Sequence, residues 1–313
     1  MRKSVRLISV LVCVLMMFVC VTGVFAGAKQ QQEQQSGGGK LRVAVILKTL
    51  SSTYWQTVLS GAEQAAKELG VELIPLGPPT EDDAIAQTNM VEDVITQKVD
   101  AIVFSPCQPE GAVTVLNKAR DANVPVVVID TPMPASYTSA VTYIGSNNYQ
   151  IGVLGAKEML KSLKAGTKVL VLEGAPGNVA MTERADGAEK TFKDAGVNVV
   201  SRQPAYSDRE RAYSITQNVL QTTELDGVFA ANDEQALGAY RAIVQAGKKA
   251  VVVGVDGNPD AKESVDKGEL FATVAQSADQ MGYLGVKYAV QYAKGDKNIE
   301  KMIDAPTPVY TKK

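Results

Sequence analysis

Short apolar runs alternate with longer amphipathic stretches along the chain from residue 41 onward. The runs are rich in Val and Ile and show little polar alternation, which is typical of parallel strands that are buried on both faces. The stretches between them repeat apolar residues at helical spacing. The first four runs are RVAVIL (42–47), VELIPL (71–76), DAIVFS (100–105) and VPVVVID (124–130). This pattern predicts an α/β fold with a parallel sheet covered by helices on both faces.

A second series of strand-like runs follows the segment 141–145 and copies the first. It comprises TKVLVLE (167–173), VNVVSRQ (197–203), LDGVFAA (225–231), KAVVVGVD (249–256) and LFATVAQ (270–276). Matching residues are a constant 126 positions apart, as Gly61 and Gly187 are, and as Asp130 and Asp256 are. A constant offset over several elements indicates an internal duplication. We therefore expect two similar, doubly wound, parallel-sheet lobes.

The first 28 residues have the pattern of a secretory signal peptide. A basic start precedes an apolar run over residues 7–21, and small residues follow at 26–28. We expect this segment to be removed on export and the polar, glycine-ended segment 29–39 to be a flexible leader. Cys20 lies near the end of the apolar run, so a lipid anchor at that cysteine is an alternative. In both cases the protein is expected in the periplasm or at the extracellular face of the membrane.

Composition excludes several classes of function. The 32 Lys and Arg residues balance 34 Asp and Glu without a basic block, which argues against a nucleic-acid partner. The chain has no histidine, which excludes His-ligated metal sites and imidazole catalysis. Once the signal peptide is removed only Cys107 remains, so no internal disulfide can form. We expect no cofactor and no metal, and we expect a monomer.

Each copy of the duplicated unit has an aspartate directly after a buried strand. Asp130 ends the run VVVID, and Asp256 ends the run VVVGVD. In open α/β sheets ligands bind beyond the carboxyl ends of the strands, and two such lobes that face each other enclose one cleft. A buried carboxylate needs hydrogen-bond donors, so each side chain either contacts a ligand or caps the next helix. The repetition of the aspartate favours ligand contact.

Five further residues near the predicted strand ends have side chains that suit a sugar. Arg184, at the start of a predicted helix, offers a fork of donors that fits adjacent hydroxyls. Asn232 and Gln276 follow strands, with a helix cap and a loop position as their alternative roles. Tyr54 and Trp55 follow the first strand, and aromatic faces stack on the C–H faces of sugars. We expect one of these two rings to pack the helix onto the sheet and the other to face the cleft.

The chain resembles the periplasmic ribose- and allose-binding proteins of bacterial ABC importers. The motifs that carry the resemblance are LKTLSSTYW (47–55), VDAIVFSP (99–106), PVVVID (125–130), LEGAPGN (172–178), ANDEQALGA (231–239), VVGVDGNPD (252–260) and ATVAQSADQMG (272–282). The resemblance implies two lobes joined by a three-segment hinge, with residues 40–145 plus 277–304 in the N-terminal lobe. Residues 146–276 plus 305–313 would form the C-terminal lobe. It also implies that the hinge closes around the ligand.

The same resemblance implies the residues of the sugar site. These are Lys48, Tyr54, Trp55, Asp130, Arg184, Asn232, Asp256 and Gln276. The chain departs from the family at two positions of the site: Ser52 stands where the family usually has asparagine, and Ser207 stands where it usually has a stacking aromatic ring. Tyr206, next to Ser207, is a candidate to supply that ring. These departures leave the identity of the sugar open.

We therefore expect an extracytoplasmic solute-binding protein, not an enzyme. It would capture a monosaccharide of the aldohexose or pentose type and deliver it to the membrane permease subunits of an ABC importer. One alternative is a glycoside hydrolase that uses Asp130 and Asp256 as paired carboxylates. Another is a sensor that presents the bound sugar to a membrane chemoreceptor. A sugar-responsive repressor shares the two-lobed core, but the predicted export signal argues against it.

Overall fold

The computed structural model describes residues 39–312. The predicted signal peptide, Cys20 and most of the predicted leader lie outside this range. Within it, the strands are β1 Arg42–Ile46, β2 Glu72–Leu76, β3 Ala101–Phe104, β4 Val126–Ile129, β5 Tyr143–Gly145, β6 Lys168–Glu173, β7 Asn198–Pro204, β8 Gly227–Ala230, β9 Val251–Asp256, β10 Ala272–Ala275, β11 Met302–Asp304 and β12 Val309–Thr311. The helices are α1 Thr53–Leu69, α2 Ala84–Thr96, α3 Pro109–Asp121, α4 Asn148–Met159, α5 Val179–Asp194, α6 Arg209–Leu220, α7 Asp233–Gln245, α8 Pro259–Lys267 and α9 Ala278–Ala293.

The strands of the described range form two six-stranded sheets. The first has the order β11-β5-β4-β3-β1-β2, and all of its pairs are parallel. The second has the order β12-β10-β9-β8-β6-β7 and is parallel except for its edge strand β12, which pairs antiparallel with β10. The predicted pair of α/β lobes is confirmed. The short strands β11 and β12 were not predicted, because they lie at the end of the chain, outside the repeated pattern.

The duplication seen in the sequence is a duplication of structure. In the first sheet Asp100 Oδ2 accepts a hydrogen bond from the Arg42 amide at 2.7 Å. In the second sheet, 126 positions later, Asp226 Oδ2 accepts one from the Lys168 amide at 2.7 Å. The strands β3 and β8 also begin and end 126 positions apart. In both lobes, therefore, an aspartate just before one strand (β3 or β8) binds the first residue of the neighbouring strand (β1 or β6).

Each sheet is buried on both faces, which explains why its strands are almost uniformly apolar. Along β1, Val43 and Val45 belong to the core that contains α1 and α9. The intervening Ala44 and Ile46 belong to the core that contains α2 and α3. The alternation of side chains along a strand thus supplies two cores at once. A strand with one solvent-exposed face would have polar residues at every second position instead.

In each lobe two helices pack so closely that glycine is required between them. A Cβ at Gly61 in α1 would overlap the carbonyl oxygen of Asp279 in α9. A Cβ at Gly152 in α4 would overlap the carbonyl oxygen of Arg184 in α5. The second contact matters for the site, because it fixes the backbone that carries the Arg184 side chain.

The chain passes between the two sheets at three places: between β5 and α4, between β10 and α9, and between β11 and β12. The third crossing is hydrogen-bonded to both of the others. The Ala305 amide donates to the Gly145 carbonyl at the first crossing, at 2.8 Å, and the Ser277 hydroxyl of the second crossing donates to the Pro306 carbonyl at 3.2 Å. Three adjacent crossings are the arrangement that a hinge between lobes requires. The residue limits given above for the lobes stay a prediction.

Candidate functional site

Residues at the strand ends of both sheets line one small cavity. Eight of the eleven predicted site residues line it: Lys48, Ser52, Tyr54, Trp55, Asp130, Arg184, Asn232 and Asp256. The two duplicated aspartates therefore face the same space. The three others, Tyr206, Ser207 and Gln276, are not part of the wall.

In the first lobe Lys48 and Asp130 form a buried ion pair. Lys48 follows β1 and is 2% exposed, Asp130 follows β4 and is 4% exposed, and Lys48 Nζ lies 3.2 Å from Asp130 Oδ2. Thr131 Oγ1 donates to the same carboxylate oxygen at 2.7 Å, and Tyr54 Oη donates to Oδ1 at 2.9 Å. Lys48 Nζ also donates to Asn178 Oδ1 of the second lobe at 3.4 Å. The pair is thus anchored on both sides of the cleft.

The environment of Asp130 keeps its carboxylate ionised. Burial is the largest influence and raises the pKa, but Lys48, Arg184 and the hydrogen bonds from Thr131 and Tyr54 together bring the pKa below its usual value. The backbone of Asp130 has a φ of 63°, in the left-handed region that few non-glycine residues adopt. Such a conformation is held by the surrounding structure and is frequent at binding sites. Asp130 is therefore presented as a fixed acceptor.

In the second lobe Arg184 and Asp256 form the corresponding pair, with 3.3 Å between Arg184 Nη1 and Asp256 Oδ1. Arg184 is 4% exposed and is oriented by two further acceptors, Asn148 Oδ1 at 2.8 Å and the Ala231 carbonyl at 3.0 Å. Gln276 Nε2 donates to Asp256 Oδ1 at 2.8 Å. Gln276 thus acts on the cavity through Asp256, although it was predicted as a direct contact.

The two aspartates differ in their ionisation. Burial is the largest influence on Asp256 and raises its pKa to about 7, although the Arg184 guanidinium and the Gln276 amide lower it. Asp130 and Glu81 add to the rise because they are like charges that face the same cavity. Asp256, like Asp130, has a positive φ, of 119°. The pKa of one aspartate is therefore lowered and favours its ionised form, whereas the pKa of the other is raised, mainly by burial.

Tyr54 and Trp55, in the first turn of α1, form the aromatic part of the wall. Their ring centroids are 4.9 Å apart and their planes meet at 84°, and Lys48 Nζ lies 5.7 Å from the Trp55 ring. We expected only one of the rings to face the cleft, and this was wrong, since both line the cavity while both pack in the core around α1 and α9. In this edge-to-face arrangement each ring contacts both the cavity and the core.

Two residues carry polar groups that face the cavity from helix starts. Ser52 precedes α1 but makes no capping hydrogen bond, and its buried Oγ has no partner among residues 39–312. Asn232 precedes α7, and its Oδ1 accepts from the Gln235 amide at 3.0 Å. Asn232 therefore serves as the helix cap and also lines the cavity, and its contact with a ligand stays a prediction.

Tyr206 does not supply a stacking ring. It does not line the cavity, and the centroid of its ring lies 4.3 Å from the guanidinium carbon of Arg211. Ser207 does not line the cavity but contacts two residues that do, since Ser207 Oγ donates to Glu81 Oε2 at 2.9 Å and lies 3.1 Å from Met181 Sδ. The second lobe thus presents no aromatic ring from this loop.

Five residues that line the cavity were missed by the sequence reasoning: Glu81, Ala180, Met181, Glu234 and Asn258. None of them directly follows a strand, which was the criterion applied. A usable signal existed for two of them. Met181 is 126 positions after Trp55, and Glu81 is 126 positions before Ser207. Applying the repeat offset to every site residue would have found both.

Within residues 39–312 no cluster of three or more Cys, Asp or Glu side chains is arranged to hold a metal ion. The helices of this range include none with the length and apolar character needed to cross a bilayer. The thiol of Cys107 is unpaired in this range and buried, and burial raises its pKa to about 12.

Two similar α/β lobes around a polar cavity define a two-lobed ligand-binding protein. A family model described as the periplasmic binding protein domain matches residues 43–297. The chain belongs to the periplasmic binding protein family.

Among its relatives, the ribose import binding protein of Bacillus subtilis is 35% identical over 87% of each chain. The D-allose-binding periplasmic protein of Escherichia coli is 33% identical over 82% of this chain and 86% of the relative. A solute-binding protein of Actinobacillus succinogenes solved with D-allose has a TM-score of 0.81 and 31% identity, and covers 87% of this chain and 98% of its own. A solute-binding protein of Agrobacterium vitis solved with D-fucose has a TM-score of 0.83 and 34% identity, and the match covers 87% of this chain and 95% of that protein.

Proposed function

We propose that this protein captures a monosaccharide between its lobes and delivers it to the permease subunits of an ABC importer. The observation that carries the proposal is the pair of strand-end carboxylates, Asp130 and Asp256, each with its own cation, facing one cavity beside the Trp55 ring. Carboxylate and guanidinium groups pair with vicinal hydroxyls, while the ring stacks on a C–H face. The names of the relatives, which concern ribose and D-allose, agree with this chemistry.

The proposal includes closure without catalysis. Ligand bound between the lobes favours the form in which both aspartates reach it, and the permease recognises that form. We further propose that the protein is a monomer and is exported to the periplasm or the outer face of the membrane. A membrane chemoreceptor would read the same closed form, so sensing is compatible with transport.

A glycoside hydrolase is the alternative that one observation favours, since Asp130 and Asp256 have pKa values shifted in opposite directions. However, each carboxylate is held by a cation and by side-chain donors, which suits static binding of hydroxyls. Incubation with aryl glycosides and with disaccharides separates the two functions. We expect no release of aglycone or of a monosaccharide; turnover that is lost in Asp256→Asn would favour the hydrolase.

A thermal-shift screen tests the proposed function directly. Ligand that binds only the folded state raises the melting temperature by mass action. The screen uses aldopentoses, aldohexoses, ketoses and polyols, with calorimetry on each compound that shifts the transition. We expect a rise for a small set of monosaccharides and none for amino acids or dipeptides of similar size. If no carbohydrate raises the melting temperature, the proposal is contradicted.

A further inference from the structure

Glu81 joins the two lobes through one carboxylate. It lies in the segment between β2 and α2 and lines the cavity. Its Oε1 accepts a hydrogen bond from Trp55 Nε1 at 2.7 Å, within the first lobe. Its Oε2 accepts one from Ser207 Oγ at 2.9 Å, and Ser207 follows β7 of the second sheet. The Trp55 ring, the cavity wall and the opposite lobe are therefore linked by this side chain.

Glu81 differs in its charge balance from the other carboxylates that line the cavity. Those form ion pairs: Asp130 with Lys48, Asp256 with Arg184, and Glu234 with Arg209. Within residues 39–312, no cationic nitrogen lies within 4.0 Å of Glu81. Its two neutral donors occupy about half of the roughly four acceptor positions of a carboxylate. A ligand that donates a hydrogen bond would use the remaining capacity.

The positions involved are equivalent in the two copies of the fold. Ser207 is 126 residues after Glu81, and Met181 is 126 residues after Trp55. The contact between Trp55 and Glu81 in the first lobe thus corresponds to the 3.1 Å contact between Met181 Sδ and Ser207 Oγ in the second. The duplicated framework places a ring beside an acid on one side of the cleft and a thioether beside a hydroxyl on the other.

The second lobe is shaped to hold this thioether and hydroxyl. Tyr206 and Ser207 have φ values of 58° and 57°, and two consecutive non-glycine residues in this region need support from their surroundings. Gly174 provides space for Met181, since a Cβ at Gly174 would lie 2.7 Å from the sulfur. Met181 is buried and lines the cavity. The wall opposite Trp55 is therefore a flexible, polarizable side chain.

We propose that Glu81 is a specificity-determining ligand contact, and that Met181 with the cross-cleft pair Glu81–Ser207 takes the place of a second stacking ring. The inference rests on the proposed function and deepens it. A thioether accepts ligand surfaces of varied shape, whereas a carboxylate without a cation demands a donor. The site therefore selects monosaccharides by a hydroxyl directed at Glu81, and it rejects the analogue that lacks this hydroxyl.

The test compares the wild-type protein with Glu81→Gln. Asp82→Asn is the matched control, because Asp82 is the exposed neighbouring acid and is not part of the wall. Calorimetry measures the affinity for D-ribose, for D-allose and for the monodeoxy analogues of each. At one hydroxyl position, we expect wild type and Asp82→Asn to bind the parent sugar about 10- to 100-fold more tightly than the analogue that lacks this hydroxyl, as the loss of a hydrogen bond to a charged group predicts. In Glu81→Gln this preference should fall below about threefold.

Ser207→Ala separates ligand contact from closure. This change removes the cross-cleft donor and leaves the carboxylate, so it should weaken the binding of parent and deoxy sugars by the same factor. If wild type shows no preference for the parent sugar over any deoxy analogue, or if Glu81→Gln keeps the wild-type preference, the inference is overturned and the proposed function stands. Equal loss of the preference in Ser207→Ala and Glu81→Gln would also overturn it, since closure would then set the selectivity. If wild type binds neither D-ribose nor D-allose, the comparison is made with a sugar found by the thermal-shift screen and its deoxy analogues; failure to bind every sugar of that screen would overturn both the inference and the proposed function.

Discussion

Asp256 is the residue on which the proposed binding depends most directly. Its carboxylate is aimed into the cavity by a positive φ and is held by Arg184 and Gln276. In Asp256→Asn the side chain keeps its size but no longer accepts from sugar hydroxyls as an anion. We expect the affinity for sugar to fall at least about 100-fold, as the loss of charged hydrogen bonds predicts.

The stability of the free protein is the control for this change. Arg184 retains its hydrogen bonds to Asn148 and to the Ala231 carbonyl in the variant. The change leaves the buried Arg184 guanidinium without its anion, which destabilises the folded state, although removing the buried charge of Asp256 offsets part of this cost. We expect a lower melting temperature than that of wild type with a cooperative transition, so that the folded variant can still be titrated with sugar. Wild-type affinity in this variant would exclude Asp256 from the site.

The raised pKa of Asp256 predicts a pH-dependent affinity. Its pKa in the free protein is raised to about 7, mainly by burial, from an ordinary value of 3.8. Sugar hydroxyls that donate to the carboxylate favour its ionised form, so binding below this pH must expel a proton. The affinity should therefore fall as the pH falls, by roughly tenfold per unit below the pKa, and level off above it. Calorimetry between about pH 5 and 8.5 measures this.

Asp256→Asn again provides the comparison, because the pH dependence that Asp256 causes is absent from this variant; any that remains reports Asp233, a buried carboxyl whose pKa is also raised, by burial and by the charge of Asp256. The same shift has the opposite consequence for the stability of the free protein. A carboxyl group whose pKa is raised in the folded state contributes stability below its unfolded pKa, and this contribution is lost as the pH rises towards 7. An affinity for wild type that is constant with pH would contradict proton release from Asp256.

Residue types at strand ends were predictable from the sequence, whereas their partners were not. Asp130 and Asp256 stand out because each ends an apolar strand and because one repeats the other. Glu81 does not end a strand, and only its offset of 126 from Ser207 points to it, since it lies in an irregular segment and acquires its role from Trp55 and Ser207, which are distant in sequence. The ionisation of Asp256 also depends on burial and on neighbours that only the folded chain brings together. Sequence therefore predicts acceptors better than it predicts their electrostatics.

At the scale of elements, the close contact between α4 and α5 positions Arg184. Gly152 in α4 faces the carbonyl oxygen of Arg184, and this atom cannot move aside as the end of a flexible side chain would. Gly152→Ala should therefore push the helices apart, destabilise the protein by about 1–3 kcal/mol and weaken sugar binding. Thermal unfolding and calorimetry on the same samples measure both effects.

Gly61→Ala is the matched change in the other lobe. Gly61 faces the carbonyl oxygen of Asp279 in the same way, but Asp279 does not line the cavity, whereas the carbonyl that Gly152 faces belongs to Arg184, which does. We expect a similar loss of stability with a smaller loss of affinity than in Gly152→Ala. If both variants lose affinity equally, the α4–α5 contact has no special role in the site.

The elements themselves were predictable because their signals are local or repeated. The apolar runs matched strands to within two residues at most ends, and the offset of 126 carried from sequence into the hydrogen bonds of Asp100 and Asp226. The edge strands β11 and β12 escaped notice because each has three residues and no counterpart at the offset. Strands this short derive their pairing from the sheet they join, so their own sequence carries little signal.

At the scale of the whole molecule, the two ion pairs predict a change of shape on binding. Each lobe contributes one aspartate, and the lobes meet through cross-cleft hydrogen bonds of Lys48 with Asn178 and of Glu81 with Ser207. A micromolar site corresponds to roughly −8 kcal/mol. Reversing an open-to-closed ratio of 99:1 needs about 5.5 kcal/mol of differential affinity. Binding that depends on both lobes therefore suffices to close the molecule.

Small-angle X-ray scattering measures this closure. With a saturating sugar found by the screen, the radius of gyration of the wild-type protein should be smaller than without sugar. Asp256→Asn at the same sugar concentration should keep the larger value, because the second lobe has lost its anionic contact. We expect the backbone to rotate at the segments that the hydrogen bonds of Ala305 with Gly145 and of Ser277 with Pro306 join. An unchanged radius of gyration in wild type at a saturation verified by calorimetry would mean that the sugar enters a cleft already closed, and the permease would then need another signal to recognise the loaded form.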